Sequence, residues 1–240
     1  AFLLAVLQGI NNLDYTRLNS VETAMLRMFH HTIWPTTTKS ISTEEMQNNI
    51  KALSNSPVML YELIELLNYN YSQIDFIDEQ VDLGFPSPLD LHCTYTRDQL
   101  LIGLGHTNPS SVREGVLWLK EINCDVFFIT LNKSSKDYSP TTMYKDYSIN
   151  ESLFHWQSQS TTSEDSPTGK RYQQHGKESH QVLLFVREFR RTYGITSPYT
   201  FLGLAEYVSH VGSRPMSINY YLQRPIPAKY LKKTNKLLVG

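Results

Sequence analysis

The hydrophobic positions change period once along this chain, near residue 84. Before that point they recur at helical spacing. Val21, Ala24, Met25, Met28 and Phe29 form one stripe, and Ser20 is placed to cap it. Ser42, Thr43, Glu44 and Glu45 read as a capping box ahead of Met46, Ile50 and Leu53. Pro57 stands where a first helical residue tolerates proline, before Val58, Leu60, Tyr61, Leu63, Ile64, Leu66 and Leu67. That segment is apolar on most sides, so it is expected at the centre of a small bundle. The stretch VDLGFPSP then breaks the pattern with Gly84, Pro86 and Pro88. The expected division is a helical coupling domain over 1–83 and a β-rich domain over 84–240.

The second part holds one more helix, capped at Thr96 with Gln99, carried by Leu100, Leu101 and Leu104, and stopped at Gly105. After it the period becomes two. Residues 116–119, 126–131, 153–157, 181–187, 200–208 and 216–222 read as strands. In the last, Met216, Ile218, Tyr220 and Leu222 share one face, and Ser217, Asn219, Tyr221 and Gln223 the other. Strands without a helix at each crossover do not build a parallel α/β sheet. The expected fold is therefore α+β: an N-terminal helical segment, then a mostly antiparallel curled sheet or small β-barrel.

Composition sharpens this division. Residues 1–83 carry four Lys/Arg against ten Asp/Glu, a net −6, and residues 84–240 carry 18 against 13, a net +5. Six of the eight His also lie in the second part. A basic part beside an acidic one suits a polyanion for the former and a protein neighbour for the latter. The opening apolar run at 2–7 is too short to span a bilayer and has no basic flank, which argues against a signal peptide. It reads as the inside of a helix in a piece of a larger protein. Cys93 and Cys124 make no close metal-type pair, in keeping with a reduced, cytoplasmic setting.

The chemistry concentrates in residues 138–175. Trp156 stands there with Tyr138, Tyr144, Tyr147 and Tyr172 among amides, hydroxyls and a late basic cluster. Such a mixture suits a surface that stacks a flat ring and hydrogen-bonds its edge, a nucleobase above all. An irregular strand and loop held by ordinary side-chain bonds fits equally. As a strand, 154–159 would put His155, Gln157 and Gln159 on one face and Phe154, Trp156 and Ser158 on the other. Amides and an imidazole can read a base edge. Ser166, Pro167 and Thr168 open a short helix carrying Lys170 and Arg171, a plausible phosphate seat although not a P-loop. Lys133, Lys136, Arg190 and Arg191 are further cations for a nucleic-acid backbone, or simply solvated charges.

Catalytic patterns are missing. Asp125 enters a strand ending Leu131-Asn132-Lys133, without the acidic residue two positions before the lysine that a metal-dependent nuclease needs. His92 has no partner at metal-finger spacing, His30 and His31 lack a third ligand, and no Gly-x-Ser-x-Gly occurs. The expectation is no catalytic residue, metal or cofactor within this chain.

From about Leu91 onward the runs LHCTYTRDQLL, EGVLWLKE, DVFFITLNKSSKDYSPTTMYKDYSINESLFHWQSQSTTSEDSPTGKRY, VLLFVRE and YTFLGLAEYVSHVGSRPMSINYYL resemble the C-terminal domain of bacterial phospholipase-D-nuclease/helicase fusions. These are the SauUSI-like type IV restriction enzymes, which cut DNA containing modified cytosine. The resemblance implies a target-recognition domain, with ATP and divalent-metal chemistry in upstream nuclease and helicase domains and no membrane partner. YTFLGLAEYVSH and the strand after it also resemble the closing strands of SRA/PUA-like barrels, which hold a flipped modified base. That likeness implies 5-methylcytosine extruded from duplex DNA. Stacking would fall to Trp156, Tyr144, Tyr147, Tyr199 and Phe201. Edge reading would fall to Gln157, Gln159, Asp146 and His155, and phosphate contact to Arg214, Lys170, Arg171 and Lys133, beside Lys136, Ser166 and Thr168. A methylation-independent clamp serving a helicase is the rival reading.

Overall fold

The computed structural model describes residues 1–12, 14–35, 41–74, 81–133, 145–173 and 180–234. The chain divides into two compact units, Ala1–Leu89 with Arg97–Val112, and Asp90–Thr96 with Arg113–Gly240. The expected cut at 83/84 is thus replaced by crossings at 89/90, 96/97 and 112/113. The physical reason is local. Residues 94–95 add a strand to the sheet, whereas the helix that follows packs against another helix.

The helical unit contains α1 (Phe2–Gln8), α2 (Ser20–Ile33), α3 (Thr43–Ala52), α4 (Pro57–Ser72) and α5 (Arg97–Gly103). The cap of α2 is Asn19 rather than Ser20. The Asn19 side chain accepts from Glu22 N at 2.9 Å and Glu22 accepts from Asn19 N at 2.9 Å, a reciprocal box that leaves Ser20 as the first helical residue. Ser42 caps α3 as expected, accepting from Glu45 N at 3.1 Å. After α5 the chain closes a Schellman turn, with Gly105 at φ +86° and the N–H of His106 donating to Leu101 O.

Val6, Leu7, Ile10, Leu26, Met46, Ile50 and Leu53 form the buried centre of this unit. The expectation of a central α4 fails, since the helix contributes no buried residue. Only Leu60, Leu63, Ile64 and Leu67, a single i, i+3, i+4, i+7 stripe, pack on the core. Val58, Tyr61, Leu66 and Tyr69 are 55–75% exposed on the remaining circumference.

The sheet unit contains β1 (Thr94–Tyr95), β2 (Val116–Leu119), β3 (Cys124–Asn132), β4 (Tyr147–Ser148), β5 (Leu153–Gln157), β6 (Gln181–Phe189), β7 (Arg191–Thr192), β8 (Ile195–Thr196), β9 (Tyr199–Val211) and β10 (Ser217–Leu222), with α6 (Pro167–Gln173) and α7 (Ala228–Thr234). Every strand expected from the period-two pattern is present. The main sheet has eight strands in the order β2-β3-β6-β9-β10-β5-β4, with β1 added beside β9, and β7-β8 form a separate ribbon. Among the described strands only β3 and β6 pair in parallel. The expected mostly antiparallel sheet is therefore what forms, with eight strands.

β3 reads CDVFFITLN and is buried along almost its whole length, as a strand covered on both faces must be. Phe154 and Trp156 of β5, Ile218 and Tyr220 of β10, and Tyr172 of α6 gather on Phe127 in one cluster. Each such side chain contributes roughly 1.5–3 kcal/mol on burial. Gly203 of β9 has φ +91°, and a Cβ there would lie 2.8 Å from Leu91 Cδ1. The missing side chain lets the segment before β1 lie close over β9.

Candidate functional site

β5 decides which side chains face outward. Phe154 and Trp156 point into the core, so the period of two turns His155 and Gln157 to the opposite face. Antiparallel register then continues that face across the sheet. His155 lies opposite Tyr147 of β4 and Asn219 of β10, and Asn219 lies opposite Ser209 of β9. The Tyr147 and His155 rings are 4.8 Å apart, inclined at 33°. His155 Nδ1 is 3.1 Å from Asn219 Oδ1, and the Asn219 amide donates to Ser209 Oγ at 3.4 Å. One polar row thus runs across four neighbouring strands, with Tyr147, His155 and Asn219 half-buried and Ser209 exposed.

The flanking rows complete the face. Gln157, Ser217 and Val211 stand in register on one side, and Leu153, Tyr221 and Glu206 on the other. Tyr221 is 46% exposed. Gln157 Oε1 accepts from Lys145 N at 3.2 Å, so the exposed Lys145 sits at the Gln157 end of the face. The exposed Arg214 occupies the β9-β10 turn, where its N–H donates to Thr162 O at 3.1 Å. Chemically, the row with Gln157 beside it offers an imidazole, two amides, a phenol and a hydroxyl, bordered by Lys145 and Arg214. Asn219, Ser209, Lys145 and Tyr221 were not among the residues expected to contact a base. The alternation of β10 was the available signal for Asn219 and Tyr221.

Several expected base-contacting residues lie elsewhere. Trp156 is 5% exposed, with its ring 4.1 Å from Phe127 and inclined at 22°, and Tyr172 meets it edge-on at 5.2 Å. Tyr199 is buried between Phe128 and the Arg187 guanidinium. Phe201 is fully buried, stacked on Phe185 at 4.8 Å. Apolar packing already covers the ring faces a base would need. Gln159 is occupied too, since its Oε1 accepts from Thr162 Oγ1 at 3.2 Å and from the Tyr172 hydroxyl at 3.3 Å.

Asp146 and Lys133 are also corrected. Asp146 is 2% exposed and pairs with Lys133 Nζ at 2.6 Å, while Gln157 N donates to its other oxygen at 3.0 Å. Burial pushes the Asp146 carboxyl above the usual carboxylate range, against the pull of the Lys133 ammonium. The pair fastens β4 to the end of β3, and it leaves Lys133 no free charge for a phosphate.

The expected phosphate seat is also mostly structural. The Ser166 hydroxyl accepts from Gly169 N at 3.0 Å and donates to Ser163 O at 2.6 Å, capping α6. Arg171 grips the fully buried Asp125 with two bonds, at 2.6 and 3.1 Å, and lies 4.2 Å from the Trp118 ring centre. His180 Nε2 reaches the same carboxylate at 2.9 Å. Arg171 is therefore a brace. Thr168 is half-buried and Lys170 exposed, and Lys170 and Arg214 remain open to solvent. Lys136 and Tyr144 lie outside the described residues.

His30 and His31 have local roles. His30 is buried, stacked on Trp34 and 3.0 Å from the Asn49 amide, and burial lowers its pKa. His31 lies 3.2 Å from Asp98. Among the described residues no group of three or more His, Cys, Asp or Glu could hold a metal ion. No described helix is long and apolar enough to cross a membrane.

The fold and its outer face define a helix-associated β-sheet domain with a polar, aromatic surface strip. By sequence the chain belongs to the DUF3427 family, a domain of unknown function, which it matches over residues 89–233. No curated protein matches it. Among solved structures it is similar to SUVH6 of Arabidopsis thaliana, determined in complex with SAM, at 16% identity and a TM-score of 0.36. The match covers 86% of this chain and spans 39% of that one, a likeness too slight to carry an argument.

Proposed function

We propose that the sheet unit is a DNA-binding target-recognition domain that reads 5-methylcytosine in duplex DNA. In this reading it serves a type IV, ATP-dependent restriction endonuclease of the bacterial cytoplasm, in phage defence. The ATP- and metal-dependent nuclease and helicase domains lie upstream in the same protein, and this domain has no catalytic centre of its own. The target base swings out of the duplex at a cost of a few kcal/mol.

The observation that carries the reading is the row Tyr147, His155, Asn219 and Ser209 with Gln157 beside it. Donors and acceptors on a surface bordered by Lys145 and Arg214 suit base edges and phosphates together. The net +5 of residues 84–240 favours a polyanion. The resemblance to modified-cytosine restriction enzymes supplies the methyl group.

A second reading, a clamp indifferent to methylation, gains from the burial of Trp156, Tyr199 and Phe201. The test is binding of the chain to matched duplexes with and without 5-methylcytosine at one stated salt concentration. A preference of about tenfold or more, roughly 1.4 kcal/mol, supports the reader. Equal, salt-sensitive affinity supports the clamp. Absence of binding to either duplex rejects both.

A further inference from the structure

The inner stripe of α4 packs on the core of the helical unit, but its outer face meets nothing in that core. There Val58, Glu62, Glu65, Leu66 and Tyr69 fall at i, i+4, i+7, i+8 and i+11, within roughly 100° of the helix circumference. Val58 is 75% exposed, Leu66 55% and Tyr69 62%, and both glutamates are exposed. Large apolar side chains gathered on one exposed helix face mark an interaction surface, unlike apolar residues scattered singly. A helix of 16 residues spans about 24 Å, so the face is long enough to receive another helix.

The charges on the face decide what can cover it. Glu62 and Glu65 stand between Val58 and Tyr69, so a partner that covers both apolar ends also covers the carboxylates. A carboxylate taken out of water needs an opposite charge. α4 itself carries no Lys or Arg. Of the described cations in residues 1–83, Arg17 pairs with Asp14, the Arg27 guanidinium donates to Ile41 O at 2.9 Å, and Lys51 lies over the Tyr15 ring. The partner must therefore bring the cations. A second copy laid face to face does not, because it sets glutamates against glutamates whether the helices run parallel or antiparallel. An anionic bilayer does not either, since it attracts Lys and Arg and would repel residues 1–83 with their net −6.

We propose that the outer face of α4 is a docking site for an amphipathic helix of a partner protein, one whose apolar stripe carries Lys or Arg at its centre. Val58, Leu66 and Tyr69 bury against the apolar positions of that helix, and Glu62 and Glu65 pair with its cations. The site belongs to the helical unit and does not rest on the DNA-reading function, so either can fail alone.

The test measures binding of the whole chain to two fluorescein-labelled peptides of about 18 residues by anisotropy, a length that allows a helix to form. Both carry leucine at the same stripe positions and differ only at the centre of the stripe, lysines in one and glutamates in the other. The chain is expected to bind the lysine-centred peptide at least about tenfold more tightly. Glu62→Lys combined with Glu65→Lys is expected to reverse that order, which the general adhesiveness of an apolar surface does not do. Leu66→Ser is expected to weaken the lysine-centred peptide by about tenfold. Its thermal melting should stay unchanged, since the side chain is exposed. Absence of binding, equal binding of the two peptides, or an order that charge reversal leaves in place overturns the assignment. Sedimentation of the chain alone and flotation with phosphatidylserine vesicles test the rival occupants. A dimer that Leu66→Ser dissociates gives the face to a second copy, and vesicle binding that Leu66→Ser abolishes gives it to a membrane; either result overturns the proposal.

Discussion

Trp156 and Phe127 stack 4.1 Å apart at the centre of the sheet unit, joining β5 to β3 across strands that do not pair. The residue that most invites a ligand-stacking role in the sequence is thereby a core residue. Trp156→Ala should cost about 3–5 kcal/mol of stability in denaturant titration. Tyr147→Ala, on the outer face, should cost under about 1 kcal/mol and still weaken DNA binding. A Trp156→Ala protein as stable as wild type would contradict the packing described here.

The neighbouring cations Lys170 and Arg171 should behave in opposite ways. Arg171→Ala leaves the fully buried Asp125 without its guanidinium, with His180 Nε2 at 2.9 Å as its remaining side-chain contact, and is expected to cost about 3–5 kcal/mol. Arg171→Lys should recover only part of this, since an ammonium cannot reproduce the two-bond fork. Lys170→Ala should leave the melting temperature unchanged. If Lys170 meets a phosphate, the slope of log affinity against log salt should also fall by about one.

Alkali should unfold the sheet unit through its phenols. Burial raises the pKa of Tyr172 and Tyr220 well above the ordinary 10.0. In the unfolded chain both ionise near 10, so above that pH the unfolded state binds fewer protons and stability falls as pH rises. Each group contributes a slope of up to about 1.4 kcal/mol per pH unit. Stability measured from pH 8 to about 11 should fall less steeply in Tyr172→Phe than in wild type. An unchanged slope would mean that Tyr172 is accessible to solvent.

Gly169 sits inside α6, where an added Cβ would overlap the Ser163 carbonyl. Gly169→Ala should lower stability by about 1–3 kcal/mol or more, despite the better helix propensity of alanine. Thermal melting reads this directly. A more stable variant would show that the 163–166 turn can move away.

Strands were legible in the sequence where one face is core and the other wet. In β10 the alternation of Met216, Ile218, Tyr220 and Leu222 placed every side chain correctly, because burial enforces a period of two. In β5 the same alternation separated His155 from Trp156 but could not say which face would turn inward. What remained hidden depends on distant partners. Asp125 meets Arg171 and His180, 46 and 55 residues away, and no local pattern announces a buried carboxylate between them. Local pattern failed again at α4, whose apolar residues surround the helix while only one stripe finds a neighbour.

The parallel pairing of β3 with β6 also sets the order in which the chain can fold as it is made. Between those strands the chain makes β4, β5 and α6, yet β5 has its long-strand partner in β10 at Ser217–Leu222. On a ribosome adding about 5–20 residues per second, β5 would wait roughly 3–12 s for that partner. During that interval Phe154 and Trp156 have no finished core to enter. Nascent chains of this domain should therefore be clients for chaperones that shield aromatic segments, and release before β10 is complete should yield an aggregating product rather than a smaller folded one.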